Sequence, residues 1–146
     1  MPTKAILIRK AVKTDNESLM LLYNQFVGQD RYSKHINDSF SSVLTNSSNR
    51  IFIAEKDDVI IGFSTVSFRR VVRYPKPIAE LDELFVGEEF RKQGVGKLLL
   101  DAVVNESKKR NCYRVYIESA YTHKAAHVFY EKNGFVNYGY HFFKNL

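Results

Sequence analysis

The apolar positions of this chain follow the two periods that backbones allow, two residues in strands and about 3.6 in helices. ILIRKA, Ile6 to Ala11, alternates apolar and polar residues and predicts a strand. KTDNESLMLLYNQF then changes to helical spacing, with Leu19, Leu22, Tyr23 and Phe26 on one face and Thr14 or Asp15 available as a cap. A second helix is predicted from Ser33 to Leu44, with Ile36, Phe40, Val43 and Leu44 on its apolar face. After the polar loop TNSSNR, the runs RIFIAEK and VIIGFSTVSFRRVV flank Asp57-Asp58, the pattern of a hairpin.

KPIAELDELFV, behind two prolines, predicts a further strand over Ile78 to Val86, ended by Gly87. Val95 to Lys109 reads as a helix with Leu98, Leu99, Ala102 and Val103 facing inward. Lys108, Lys109 and Arg110 suit the negative end of its dipole. CYRVYIES is a strand, and Lys124 to Lys132 is a short helix stopped by Asn133-Gly134. FVNYGYHFFKNL reads as one or two closing strands. The order β, α, α, a three-stranded meander, α, β, α, β predicts an α/β fold. A mixed sheet carries helices on both faces, in a single domain over residues 1–146.

Composition narrows the class. Hydrophobic content of 45% and charged content of 26% belong to a globular chain that can bury a core. No apolar run approaches the roughly 20 residues of a membrane span. The opening MPTKAILIRKAV has no small-residue cleavage site, so a cytoplasmic setting is expected. A single cysteine, Cys112, excludes an internal disulfide, and His35, His127 and His141 have no partners at metal-ligand spacing. The net charge of +6 is spread along the chain rather than massed in one tail; it fits a nucleic-acid surface and a small polyanionic ligand equally well and does not decide between them. Phe52, Phe63, Phe85 and Phe129 read as core.

The stretch EEFRKQGVGK sets bare backbone and positive charge before a helix, an arrangement suited to an anion such as phosphate. A Walker loop fails, because Leu98 follows Gly96-Lys97 and Arg91 stands where its first glycine belongs. A dinucleotide fingerprint fails at its third glycine, occupied by Leu99, although Glu118 ends the next strand where a ribose-binding acid would stand.

A third pattern covers more of the chain. Arg91-Lys92-Gln93-Gly94-Val95-Gly96 matches R-x-x-G-x-G after the strand ELFV, and HKAAHVFYEKNGF follows about thirty residues later. Together these resemble the acetyl-coenzyme-A signature of the GNAT N-acetyltransferase superfamily. The opening IRKAVKTD and the hairpin IIGFSTV resemble its first strand and meander. The resemblance implies that Arg91, Lys92, Gln93, Gly94, Val95, Gly96 and Lys97 hold the pyrophosphate of acetyl-CoA. It also implies that the backbone of Leu84, Phe85 and Val86 lies along the pantetheine arm, with one N–H polarising the thioester carbonyl. Ala126 and Tyr130 fall in the second motif, whose usual leading Asn is His123 here. Tyr130 occupies the position of the general acid for the departing thiol.

The implied reaction is direct acetyl transfer to a primary amine, with a carboxylate taking the amine proton. Glu80 is the first candidate base and Glu83 the second. On a regular strand Glu80 and Asp82 would share one face and Glu83 the other, an alternation that a bulge would scramble. Asp30, Glu80, Asp82 and Glu83 could attract a cationic amine, and Arg69, Arg70 and Arg73 an acidic one. The pattern is somewhat similar to small-molecule members of the family, including aminoalkylphosphonate and aminoglycoside 6′-acetyltransferases. A protein or peptide acetyltransferase and a non-catalytic acetyl-CoA sensor are the alternatives. Exposed C-terminal strands would suit a homodimer.

Overall fold

A computed structural model describes residues 4–28 and 34–146. Asp30 and the expected start of the second helix at Ser33 lie outside these. The chain divides into two compact units, Met1–Tyr116 and Ile117–Leu146.

The first unit is built on a sheet in the order β1-β2-β3-β4-β5. Its strands are β1 (Leu7–Lys10), β2 (Asn49–Lys56), β3 (Val59–Arg69), β4 (Ile78–Val86) and β5 (Val115–Ile117). β1 to β4 pair antiparallel in sequence order. The sheet is mixed because a helical crossover, not a hairpin, leads from β4 to β5. The helices are α1 (Asn16–Val27), α2 (Ile36–Thr45), α3 (Val95–Lys109) and α4 (Lys124–Lys132), with α4 in the second unit. Asp57 and Asp58 both take left-handed φ, 51° and 63°, the conformation that a two-residue hairpin turn demands.

The sheet has an apolar layer on each face. On one side Leu19 and Leu22 of α1 and Phe40 of α2 cluster with Ile51, Ile53, Phe63 and Phe85. On the other, Val95, Leu99, Leu100 and Val103 of α3 are fully buried. A Cβ on Gly62 would sit 2.8 Å from the Phe85 carbonyl oxygen and 3.2 Å from the Leu99 side chain. Only hydrogen fits there, which brings α3 close to β3.

Several expectations need correction. Leu98 is exposed and Ala102 only half-buried, because the stripe Val95, Leu99, Leu100, Val103 turns them off the sheet. β3 ends at Arg69 and β5 keeps only three residues of CYRVYIES. Residues 135–146 contain no strand, since alternating side chains make a strand only where the backbone finds a ladder. Phe129 is half-buried, whereas Phe52, Phe63 and Phe85 are core.

Asp15 stands at the N-terminal cap of α1 without capping it through its side chain. Its buried carboxylate instead accepts the Val12 N–H at 2.7 Å and two bonds from Arg9 at 2.8 and 2.9 Å. Arg9 also donates to Glu55 on β2 at 2.8 Å. One guanidinium therefore ties β1 to β2 and to the mouth of α1. The Arg9 bonds hold the Asp15 carboxyl below its ordinary range, against the opposing effect of burial and with help from Val12. A depressed carboxylate stabilises the fold above its unfolded pKa, and that stability is lost as pH falls. We expect Arg9→Ala to cost about 3 kcal/mol at pH 7, because it strands a buried charge. In denaturant titrations that cost should shrink at pH 2.5; an equal cost at both values would rule out the electrostatic origin.

Candidate active site

The strand β4 carries one residue more than its partner. Thr65 pairs with Glu83 and Val66 with Leu81, so Asp82 is a bulge. Beyond it the pairs Ser64 with Leu84 and Phe63 with Phe85 continue, and before it Ser67 faces Glu80. Phe63, Thr65 and Ser67 lie on one face of β3, so Glu80, Glu83 and Phe85 share the α1–α2 face. The regular-strand alternation, with Glu80 and Glu83 on opposite faces, thus does not hold, because the bulge adds a residue and reverses it between them.

The three acids differ in surroundings. Glu80 accepts a 2.8 Å bond from Arg69 in a partly exposed ion pair. Glu83 accepts a 2.8 Å bond from the Thr65 hydroxyl. Asp82 is an exposed residue, yet the groups packed around its carboxyl desolvate it and push it up to about 6, with Glu80 and Glu83 also raising it. A hydrogen bond from Ser67 and the charge of Arg69 oppose the shift.

A cavity of about 240 Å³ opens between α1, α2 and this face of the sheet. Tyr23, Phe40 and Phe63 line it, with Thr65 and Glu83 as the sheet's polar contribution and Asn16 from the start of α1. Glu83 is therefore a wall of the cavity, while Glu80 is not among its lining residues. Thr65, Asn16 and Tyr23 went unnoticed as site residues. For Thr65 a signal existed: in GFSTVSF it is the polar residue two positions from Phe63, on the same strand face.

At the far end of β4, Leu84 and Val86 are half-buried and Phe85 is buried. At the other end of the strand, on the β5 side, the Ala79 N–H donates to the Arg114 carbonyl at 3.0 Å and the Pro77 carbonyl accepts the Tyr113 N–H at 2.7 Å. After Gly87 a short 3-10 turn, Glu88–Phe90, leads into the glycine segment. The Arg91 Nε donates to the Val86 carbonyl at 3.0 Å and its guanidinium lies 5.4 Å from the Phe85 ring centre, folding the turn back over the strand end. Gln93 donates to the Glu89 carbonyl at 3.1 Å.

Lys92 and Gly94 take left-handed φ of 61° and 82°, and Gly94 caps α3 with nothing within 4 Å of where its Cβ would stand. The first helical bond runs from the Leu98 N–H to the Gly94 carbonyl at 3.1 Å. The N–H groups of Val95, Gly96 and Lys97 thus precede the helical ladder, at the positive end of a 15-residue helix. Val95 is buried and anchors this turn, while Arg91, Lys92 and Gln93 are exposed. Lys97 pairs with Asp101 at 2.8 Å on the surface, a contact weak enough to exchange for a phosphate. Open space, free helix N–H groups and cations fit a pyrophosphate.

In the second unit, α4 begins after His123, whose carbonyl accepts the His127 N–H at 3.1 Å and whose side chain makes no cap. Ala126 and Tyr130 are half-buried one helical turn apart. The Tyr130 ring packs beside Phe129 and Phe135, and burial pushes its hydroxyl pKa up. Gly134 at φ 87° ends the helix as expected. Glu118 forms a 3.2 Å pair with His141.

Residues 13–135 match the model of the Acetyltransferase (GNAT) family, and the chain belongs to that family. It is 27% identical over 138 residues to an uncharacterized N-acetyltransferase of Methanocaldococcus jannaschii, covering 90% of this chain but only 61% of that relative. The fold is that of a transcriptional regulator from Bacillus halodurans C-125, with TM-score 0.90, 21% identity and coverage of 97% and 100% of the two chains. It is also that of an aminoglycoside N-acetyltransferase in complex with CoA, with TM-score 0.86, 24% identity and coverage of 97% and 95%. Among the described residues no helix is long and apolar enough to cross a membrane.

The elevated Asp82 carboxyl makes a stability prediction. Its folded pKa of about 6 lies above the ordinary 3.8, so ionisation opposes folding. The penalty is absent below the unfolded value and complete above the folded one. Asp82→Asn should therefore raise Tm relative to the parent at pH 7.5 and lose that advantage by pH 3.5. A lower Tm for the variant at pH 7.5 would show that Ser67 and Arg69 outweigh burial.

Proposed function

We propose that this chain transfers an acetyl group from acetyl-CoA to the primary amine of a small molecule, acting as one catalytic domain in the cytoplasm. The observation that supports it best is the run of β4 from Glu83, in the wall of a cavity, to the helix N-terminus at Gly94. The family match, which spans both units, supports the same reading.

Acetyl-CoA supplies the activated acyl group as a thioester. The N–H groups of Val95, Gly96 and Lys97 would hold its pyrophosphate, with Arg91, Lys92 and Gln93 around them. The backbone of Leu84, Phe85 and Val86 would hold the pantetheine arm, and an N–H there would polarise the carbonyl, a contact worth a few kcal/mol. By the family resemblance, His123 and Ala126 would also contact acetyl-CoA.

The attacking amine must lose a proton. At a pKa of ~10.4, roughly one amine in a few thousand is neutral at pH 7. Glu83 accepts that proton, held by the Thr65 hydroxyl. Such general bases contribute about 10²–10⁴ in rate. Glu80, paired with Arg69, contributes negative potential from the same strand face. Tyr130 donates its proton to the departing sulfur, and burial keeps that proton on the hydroxyl at neutral pH. The exposed side chains of Tyr138, Tyr140, Phe142 and Phe143 support a homodimer that covers them.

The test is thiol release from acetyl-CoA with a panel of amines. Release that depends on amine is expected, with Tyr130→Phe lowering kcat at least tenfold while leaving CoA affinity within twofold. Acetyl-CoA binding with no release on any amine would point to a sensor, and unchanged kcat in the variant would remove the acid role.

A further inference from the structure

Resting on that acceptor reading, we propose that the cavity selects a compact hydroxylated arylalkylamine: one cationic nitrogen on an aromatic body that carries a hydrogen-bond donor. Size is the first constraint. At about 240 Å³ the cavity falls below the roughly 300–1,000 Å³ of sites for drug-sized ligands.

Charge is the second. Among the described lining residues Glu83 is the one carboxylate. A polycationic sugar would bring several ammonium groups to a wall that can pair one, and an unpaired buried cation is costly. A single amine at Glu83 leaves none unpaired.

The third constraint is the shape of the apolar wall. Tyr23 stacks on Phe63 with ring centres 4.6 Å apart, and Phe26 and Phe40 line the same space. Flat aromatic faces suit an aryl body and an adjoining cation. The fourth is a buried acceptor. The Asn16 amide donates to Asn37, while its Oδ1 has no partner among the described residues. A phenolic hydroxyl supplies the donor that this oxygen lacks.

Calorimetric titration of the full chain saturated with CoA tests this directly, using tyramine, 2-phenylethylamine, spermidine and kanamycin. Tyramine should bind at least tenfold more tightly than kanamycin or spermidine, and more tightly than 2-phenylethylamine. Val43→Phe and Ser39→Leu, which fill the cavity, should each weaken tyramine at least tenfold while leaving Tm and CoA affinity unchanged. Kanamycin or spermidine binding as tightly as tyramine overturns the inference and leaves the acetyltransferase reading standing. So does tyramine binding that neither filled variant weakens. Failure of the parent to bind CoA overturns both. If the filled variants lose Tm, the parent's ranking of the four amines decides.

Discussion

One extra residue in β4 organises this molecule. The bulge at Asp82 reverses the inside–outside alternation of the strand, so Phe85 enters the α1–α2 core and Leu84 turns toward α3. Without it Phe85 would point to the opposite layer, and Glu83 would leave the cavity that it lines. Packing and chemistry therefore depend on the same register shift. A bulge leaves a backbone group without its ladder partner, a cost that structures bear where a side chain must be re-aimed. Here the re-aimed side chain is Glu83.

Charge is distributed in keeping with that arrangement. Three carboxylates crowd one stretch of β4, and desolvation together with the two neighbouring acids pushes the Asp82 carboxyl up to about 6. Such crowding opposes folding, and it concentrates negative potential on the strand whose Glu83 lines the cavity. At the other end of the strand, the α3 N-terminus and Arg91, Lys92 and Lys97 form a positive mouth. The strand thus runs from an acidic region suited to an amine to a basic one suited to pyrophosphate. The Arg9–Asp15–Glu55 network ties β1 to β2 and to the start of α1.

Much of this was legible in the residues. Period-two and period-3.6 patterns predicted the meander, the four helices and a mixed sheet covered on both faces. Turn chemistry located the Asp57-Asp58 hairpin and the Gly134 stop, because left-handed backbone leaves few residue choices. The family was recognisable from two spaced motifs. What failed was the part decided by partners. ELDELF breaks its alternation at Asp82-Glu83, a local hint of a bulge, but the residue that bulges follows only from pairing with Thr65 and Val66. Asp15 has the chemistry of a cap, but Arg9 and the Val12 N–H claim its carboxylate. Leu98 fitted a helical face whose phase only the sheet could set. The cavity escaped notice because α1, α2 and β3 meet there from distant parts of the chain.

The central claim is that the bulge delivers Glu83 to the acceptor as the proton-accepting group. Its most direct measurement is kcat/KM for acetylation of one amine by Glu83→Gln, Glu80→Gln and Asp82→Asn, each across pH 6 to 9. Loss of at least 100-fold in Glu83→Gln is expected, with Asp82→Asn within about threefold of the parent and Glu80→Gln between them. An Asp82→Asn enzyme that fails while Glu83→Gln works would contradict the account.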